Sequence, residues 1–197
     1  SQITPISRRH AVRVLADRME LLYRASARAR FKRADGSEVP KFVYLDMEEY
    51  RDLHVTVDTF IEALSRPGLE KVDAGIALQA YIPDSFHAQE RIYAWARDRV
   101  AAGGSPVTIR LVKGANMEAE RVEASIAGWP LAPYPRKRDT DANFKRMLHF
   151  ALEPDNAAAV RLGVASHNLF EVAYALVLAA DRGVLDQVQF EMLEGMA

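Results

Sequence analysis

Five short apolar runs alternate with helix-like segments along this 197-residue chain, and no other feature narrows its fold as much. The runs occupy residues 41–46, 75–82, 107–112, 160–166 and 188–193. They are short and apolar, which reads as buried strand. Their starts lie roughly 25–55 residues apart, room enough for a crossover helix between parallel neighbours. Segments 57–64, 86–102, 118–127, 141–152 and 170–180 read as the helices between and after them. A further helix is predicted at the start, near Pro5 and Ser7, with Val12, Leu15, Met19, Leu22 and Tyr23 on one amphipathic stripe. Residues 28–40 are basic and polar around an Asp35-Gly36 turn, and 128–140 form an irregular piece.

Alternating strands and helices with nearly continuous apolar strands predict a parallel sheet covered by helices. Two closures satisfy this pattern: an open doubly wound sheet and a (β/α)8 barrel. No strand is followed by G-x-G-x-x-G, so the dinucleotide fingerprint is missing. A barrel takes eight strands and about 250 residues; as a barrel, this chain supplies about five, without the first strand and the last ones.

Charge and composition exclude several classes. The 26 basic and 27 acidic side chains leave a net charge of -1, so no overall basic field is present to hold nucleic acid. With no cysteine there is no disulfide, thiolate metal site or iron–sulfur cluster, which fits a reducing compartment. No apolar run reaches the roughly 20 residues of a membrane span. His10, His54, His87 and His149 are scattered without ligand spacing, so no metal is predicted. The N-terminus has neither a signal-peptide core nor an initiator methionine, and the chain is expected to be cut from a longer one. Trp95 and Trp129 read as packing aromatics.

In both closures ligands bind at the carboxyl ends of the strands. The polar groups there are Asp46, Gln79, Arg110, Lys113, Ser166, His167, Asn168, Glu191 and Glu194. Arg110 lies between Thr108-Ile109 and Leu111-Val112, where a charge requires a ligand or a counter-charge such as Asp46 or Glu191. Lys113-Gly114-Ala115-Asn116 is a strand-to-helix turn whose glycine lets backbone approach a ligand and whose helix offers free amides to an anion. A lysine after a strand, desolvated, is also a candidate Schiff-base nucleophile.

Six ordered runs resemble one family: Phe42-Val43-Tyr44-Leu45-Asp46-Met47-Glu48-Glu49-Tyr50, Leu78-Gln79-Ala80-Tyr81, Ile109-Arg110-Leu111-Val112-Lys113-Gly114-Ala115, Asp139-Thr140-Asp141-Ala142-Asn143, Ala165-Ser166-His167-Asn168 and Phe190-Glu191-Met192-Leu193-Glu194-Gly195-Met196. Together they look like proline dehydrogenase, most of all the proline dehydrogenase domain of the proline utilization A proteins. The resemblance implies a distorted (β/α)8 TIM-type barrel, of which residues 1–197 form a partial domain. It implies FAD as cofactor and L-proline as substrate, oxidised to Δ1-pyrroline-5-carboxylate by hydride transfer from C5 to flavin N5. It implies electron delivery to a membrane quinone, hence a cytoplasmic protein peripheral to the inner membrane, and it allows a fused aldehyde dehydrogenase module in the parent protein.

By motif match, Gln79 hydrogen-bonds the flavin ring and Arg110 lies on its N5 side. Val112, Lys113, Gly114 and Ala115 line the flavin and its phosphates, and His167 and Asn168 contact the cofactor. Asp46 organises charged partners of the substrate, and Leu193 lies under the proline ring. The family's aromatic pair after Lys-Gly-Ala is replaced here by Asn116-Met117, so no stacking role is carried over. The family's lysine from a first strand, and its tyrosine and arginine pair for the substrate carboxylate, have no match in the chain. Two other readings compete: an aldolase-type barrel enzyme using Lys113, and a non-catalytic barrel scaffold.

Overall fold

The computed structural model describes residues 7–195. The predicted helix start at Pro5 and Met196 of the final run lie outside the described residues.

The first helix, α1, spans Arg8–Arg28 and buries Val12 and Tyr23 of its amphipathic stripe, together with Ala16, while Leu22 stays exposed. It packs on α2, Leu53–Leu64, and Arg66 beyond α2 pairs with Asp17 and Glu20, each at 2.6 Å. The basic stretch between them is more ordered than its composition predicts. β1, Arg30–Lys32, and β2, Glu38–Pro40, form an antiparallel hairpin around the Asp35-Gly36 turn. Asp35 accepts from the Ser37 amide at 2.9 Å, and the glycine adopts a φ of 87°.

Five parallel strands follow: β3, Val43–Leu45; β4, Ala74–Gln79; β5, Val107–Val112; β6, Val160–Ala165; and β7, Val188–Glu191. All five predicted strands are present, most of them shorter than the apolar runs. The run 75–82 leaves the sheet after Gln79, because Ala80 to Asp84 turn into α3, Ser85–Ala101. Helices α4, Met117–Ala127; α5, Lys137–Ala151; α6, Pro154–Ala157; and α7, Leu169–Asp181, complete the alternation. The helix α5 begins earlier than its apolar pattern does, and α6 is too short to show one.

The sheet order is β3-β4-β5-β6-β7, every neighbour parallel and in chain order. A doubly wound sheet reverses its strand order at a switch point. This order does not reverse, so of the two closures the sheet has the arrangement of an arc of barrel. Its two faces separate by strand parity. Ala74, Ile76 and Leu78, Val107, Ile109 and Leu111, and Val160, Leu162 and Val164 share the face packed under the helices, where they are essentially solvent-free. The core of Phe60, Ile92, Tyr93, Phe144 and Leu148 covers them. At about 25 cal/mol per Å² of apolar surface, this layer supplies the main drive for folding. The opposite face carries Tyr44, Gly75, Ala77, Gln79, Thr108, Arg110, Val112, Gly163, Ala165, Gln189 and Glu191.

This second face is concave. Strands four spacings apart in a flat sheet would be separated by about 19 Å, farther than a tyrosine and a glutamate reach together. Yet the Tyr44 hydroxyl on β3 donates to Glu191 on β7 at 2.9 Å. Small residues make room for this contact. A Cβ on Gly75 would lie 2.3 Å from the Tyr44 ring, and one on Gly163 would lie 2.2 Å from a Glu191 oxygen.

Trp95 packs edge-on against Phe60, with ring centroids 5.9 Å apart, as a packing aromatic. Trp129 does not: it is 59% exposed in the loop after α4, although that loop returns to the core at Pro133.

Candidate active site at the strand ends

Strand parity puts three of the predicted site residues, Gln79, Arg110 and Val112, on the concave face, together with Glu191; the others follow the strand ends in the loops beyond them. The centre is Arg110, which meets both counter-charges expected of it. Its Nε donates to Glu191 at 2.5 Å and its Nη1 lies 3.5 Å from Asp46. The guanidinium also lies over the Tyr44 ring, 4.0 Å from the centroid, a cation–π contact that adds to the ion pair. Burial works against this charge, but the hydrogen bond and charge of Glu191, with Tyr44 and Asp46 adding, raise the Arg110 pKa above its ordinary value. Burial first, and Glu191 second, push the Tyr44 hydroxyl well above its usual range. Asp46 is 63% exposed at the end of β3, so its charge is screened more than that of Glu191.

Gln79 ends β4 and is only 6% exposed. Its amide nitrogen donates to the Met47 carbonyl, while its Oε1 has no hydrogen-bond partner among the described residues. A buried acceptor without a donor costs about 1–3 kcal/mol, a cost that a ligand N–H would remove.

Beyond β5, Lys113 is held on a different set of contacts. Its ammonium lies 2.5 Å from Asp141 on α5 and 3.4 Å from Glu171 on α7. Lys137 also donates to Asp141, at 2.7 Å. Burial pushes the Asp141 carboxyl up, yet the bonds from Lys113 and Lys137 outweigh it and hold its pKa below the ordinary value. Because the folded pKa is depressed, this stabilisation is present at neutral pH and disappears as the pH falls through the carboxylate range. An Asp141→Asn variant should therefore melt earlier at pH 7, by an equivalent of about 1 kcal/mol, with the gap beginning to close as the pH falls to the ordinary aspartate pKa and vanishing only below it, once the depressed folded pKa is passed. Thermal melts of both proteins across pH check this; an unchanged gap in acid would sink it.

Gly114 takes a φ of 120°, and a Cβ there would lie 2.2 Å from the Tyr81 ring. The glycine is required by Tyr81, whatever ligand approaches its other side. Gly114 and Ala115 are exposed, and Val112 and Lys113 half-buried. Asn168 caps α7, its side chain accepting from the Phe170 amide at 2.9 Å. His167 and Leu193 are brought together across the β6 and β7 ends: the Leu193 amide donates to His167 Nε2 at 3.1 Å. The Leu193 side chain is 68% exposed.

The structure thus joins Asp46, Arg110 and Glu191 in one cluster, His167 and Leu193 in another, and Lys113 with Asp141 and Glu171 in a third. Tyr44, Gly163, Asp141 and Glu171 carry no assignment from sequence. Tyr44 had a legible signal, its place two residues before Asp46 on the same strand face. Asp141 lies within one of the six ordered runs but without a role, and Glu171 had no signal, since both reach Lys113 from helices distant in sequence. A separate groove of about 330 Å³, lined by Tyr50, Glu120, Trp129 and Leu131, lies between α4 and its following loop.

Comparison with known proteins places this arrangement in context. The family model "Proline dehydrogenase" matches residues 6–197. A proline dehydrogenase of Deinococcus radiodurans is 30% identical over 165 residues, which cover 83% of this chain and 44% of that protein. Among solved structures, proline utilization A of Corynebacterium freiburgense is 46% identical with a TM-score of 0.88, covering all of this chain and 20% of its own. Proline utilization A of Bdellovibrio bacteriovorus, inactivated by N-propargylglycine, is 33% identical with a TM-score of 0.85, covering all of this chain and 19% of its own. The chain therefore spans less than half the length of the curated relative and about a fifth of these two.

Proposed function

The chain belongs to the proline dehydrogenase family, and from that premise we propose that its concave face is the FAD-binding half of an L-proline oxidising site. The observation that carries the proposal is the unpartnered Gln79 oxygen, buried at a strand end of the same face that holds Arg110. An acceptor in that position suits the N–H edge of a flavin ring, so the residues present fit the cofactor.

In this reading Gln79 orients the ring by accepting from it. Arg110, held by Glu191 and Asp46, presents a fixed cation beside the reacting edge. Val112, Lys113, Gly114 and Ala115 line the flavin and its phosphates. His167 and Asn168 contact the cofactor from the β6 end, and Leu193 closes the apolar side of the proline ring. When bound, FAD supplies the two-electron acceptor for the hydride equivalent leaving proline C5, giving Δ1-pyrroline-5-carboxylate. Asp46, charged and near Arg110, keeps the charged partners of the substrate in place. The electrons pass on to a membrane quinone, and the protein works in the cytoplasm, peripheral to the inner membrane. No helix among the described residues is long and apolar enough to cross a membrane. The resemblance to proline utilization A supports a fused aldehyde dehydrogenase module in the full-length protein.

The Schiff-base alternative meets a physical obstacle. A Schiff-base lysine must be free to reach a substrate carbonyl, and the Lys113 nitrogen is already engaged by Asp141 at 2.5 Å and lies 3.4 Å from Glu171. The scaffold alternative leaves the Arg110 cluster and the orphaned Gln79 oxygen without a purpose.

A visible absorption spectrum of the full-length protein, recorded without electron acceptor before and after L-proline, tests the proposal. A flavin band that proline bleaches is the expected result. A colourless protein that takes up no added FAD would overturn it.

A further inference from the structure

Glu191 was a candidate counter-charge in the sequence, and its surroundings show more than neutralisation. Three donors converge on its carboxylate. One oxygen accepts from Arg110 Nε at 2.5 Å; the other accepts from the Tyr44 hydroxyl at 2.9 Å and from Gln189 Nε2 at 3.0 Å. Both oxygens are thereby fixed, and the missing side chain of Gly163 provides the space they occupy. Tyr44, committed to Glu191 through its hydroxyl, supports the Arg110 guanidinium with its ring. The three side chains form a closed triangle drawn from β3, β5 and β7, so the orientation of Arg110 is set by the other two.

Charge follows the same geometry. Arg110 is the single cation of this triangle, and Glu191 is its contacting anion, whereas Asp46 is farther away and exposed. The field that Arg110 projects at the strand ends is therefore tempered chiefly by Glu191.

We propose that Glu191 is a positioning residue that holds Arg110 in place and, by its negative charge, lowers the reduction potential of the flavin bound at these strand ends. The inference rests on the flavin reading of the site. Reduction adds negative charge to the cofactor, which the Arg110 cation favours and the Glu191 anion opposes. Removing the anion while keeping its shape makes reduction easier.

The test is the midpoint potential of the flavin in the full-length protein, measured by spectroelectrochemistry for the parent, Glu191→Gln and Glu191→Asp. Glutamine keeps the shape and gives up the charge. It should raise the equilibrium constant for reduction about tenfold, which is about 30 mV for a two-electron couple. Aspartate keeps the charge and gives up reach, and should stay within about threefold of the parent, roughly half that shift. A glutamine variant with unchanged potential, or equal shifts in both variants, would overturn the inference while the flavin reading stands. A protein that takes up no flavin would overturn both.

Discussion

An Arg110→Ala variant of the full-length protein should lose roughly 10²–10³-fold in kcat/KM for L-proline, the loss typical when one preorganised group facing developing charge is removed. The reason lies in the structure around the side chain. Arg110 is held at 2.5 Å by Glu191, near Asp46, and on the face of Tyr44, so it costs no reorganisation when charge develops beside it. Removing it also leaves Glu191 without its counter-charge in a partly enclosed site, which adds repulsion where the reaction gathers electrons. The loss should fall on the rate of flavin reduction by proline, read in a stopped-flow instrument, more than on the amount of flavin bound. If reduction by proline kept within tenfold of the parent rate, the assignment of Arg110 to the site would fail.

The largest stability effect should come from a position that touches no charge. Gly114→Ala is expected to destabilise the protein by about 2–4 kcal/mol, combining the strain of a β-carbon at positive φ with overpacking. The new methyl would meet the Tyr81 ring at 2.2 Å. That ring is 3% exposed and packed in the core, and burial, with Glu120, pushes its hydroxyl up to about 12. Gly128→Ala serves as the comparison. Gly128 ends α4 at a φ of 68° with nothing within 4 Å of its Cβ site, so only the backbone strain of about 1 kcal/mol applies. Urea unfolding of both variants separates the two contributions. Equal losses would show that Tyr81 does not define the Lys113-Gly114 turn.

How far the site was legible in sequence depends on the distance over which each feature is written. Gln79, Arg110 and Val112 stand at strand ends, and strand ends follow from short-range pattern. Their common face follows from the two-residue period of a strand, once register is known. The turn glycine at 114 was legible as a turn, but its reason was not. Its neighbour Tyr81 is 33 positions away and packs against it only because β4 and β5 are paired. Trp129 misled for a related reason: aromatic composition says nothing of whether a loop stays on the core. The hairpin of β1 and β2 was hidden because its strands are exposed and lack an apolar period.

The amino-acid sequence by itself determined the alternation of five strands with helices, the parallel sheet they form and the roster of polar groups at the strand ends, because propensity, periodicity and turn chemistry act within a few residues. The tertiary structure alone decided which of those groups meet. Tyr44 reaches Glu191 across 147 positions, and Arg110 reaches it across 81, only because the sheet curves and Gly75 and Gly163 leave the concave face open. Curvature belongs to strand order and twist taken together, and no local stretch of chain encodes it.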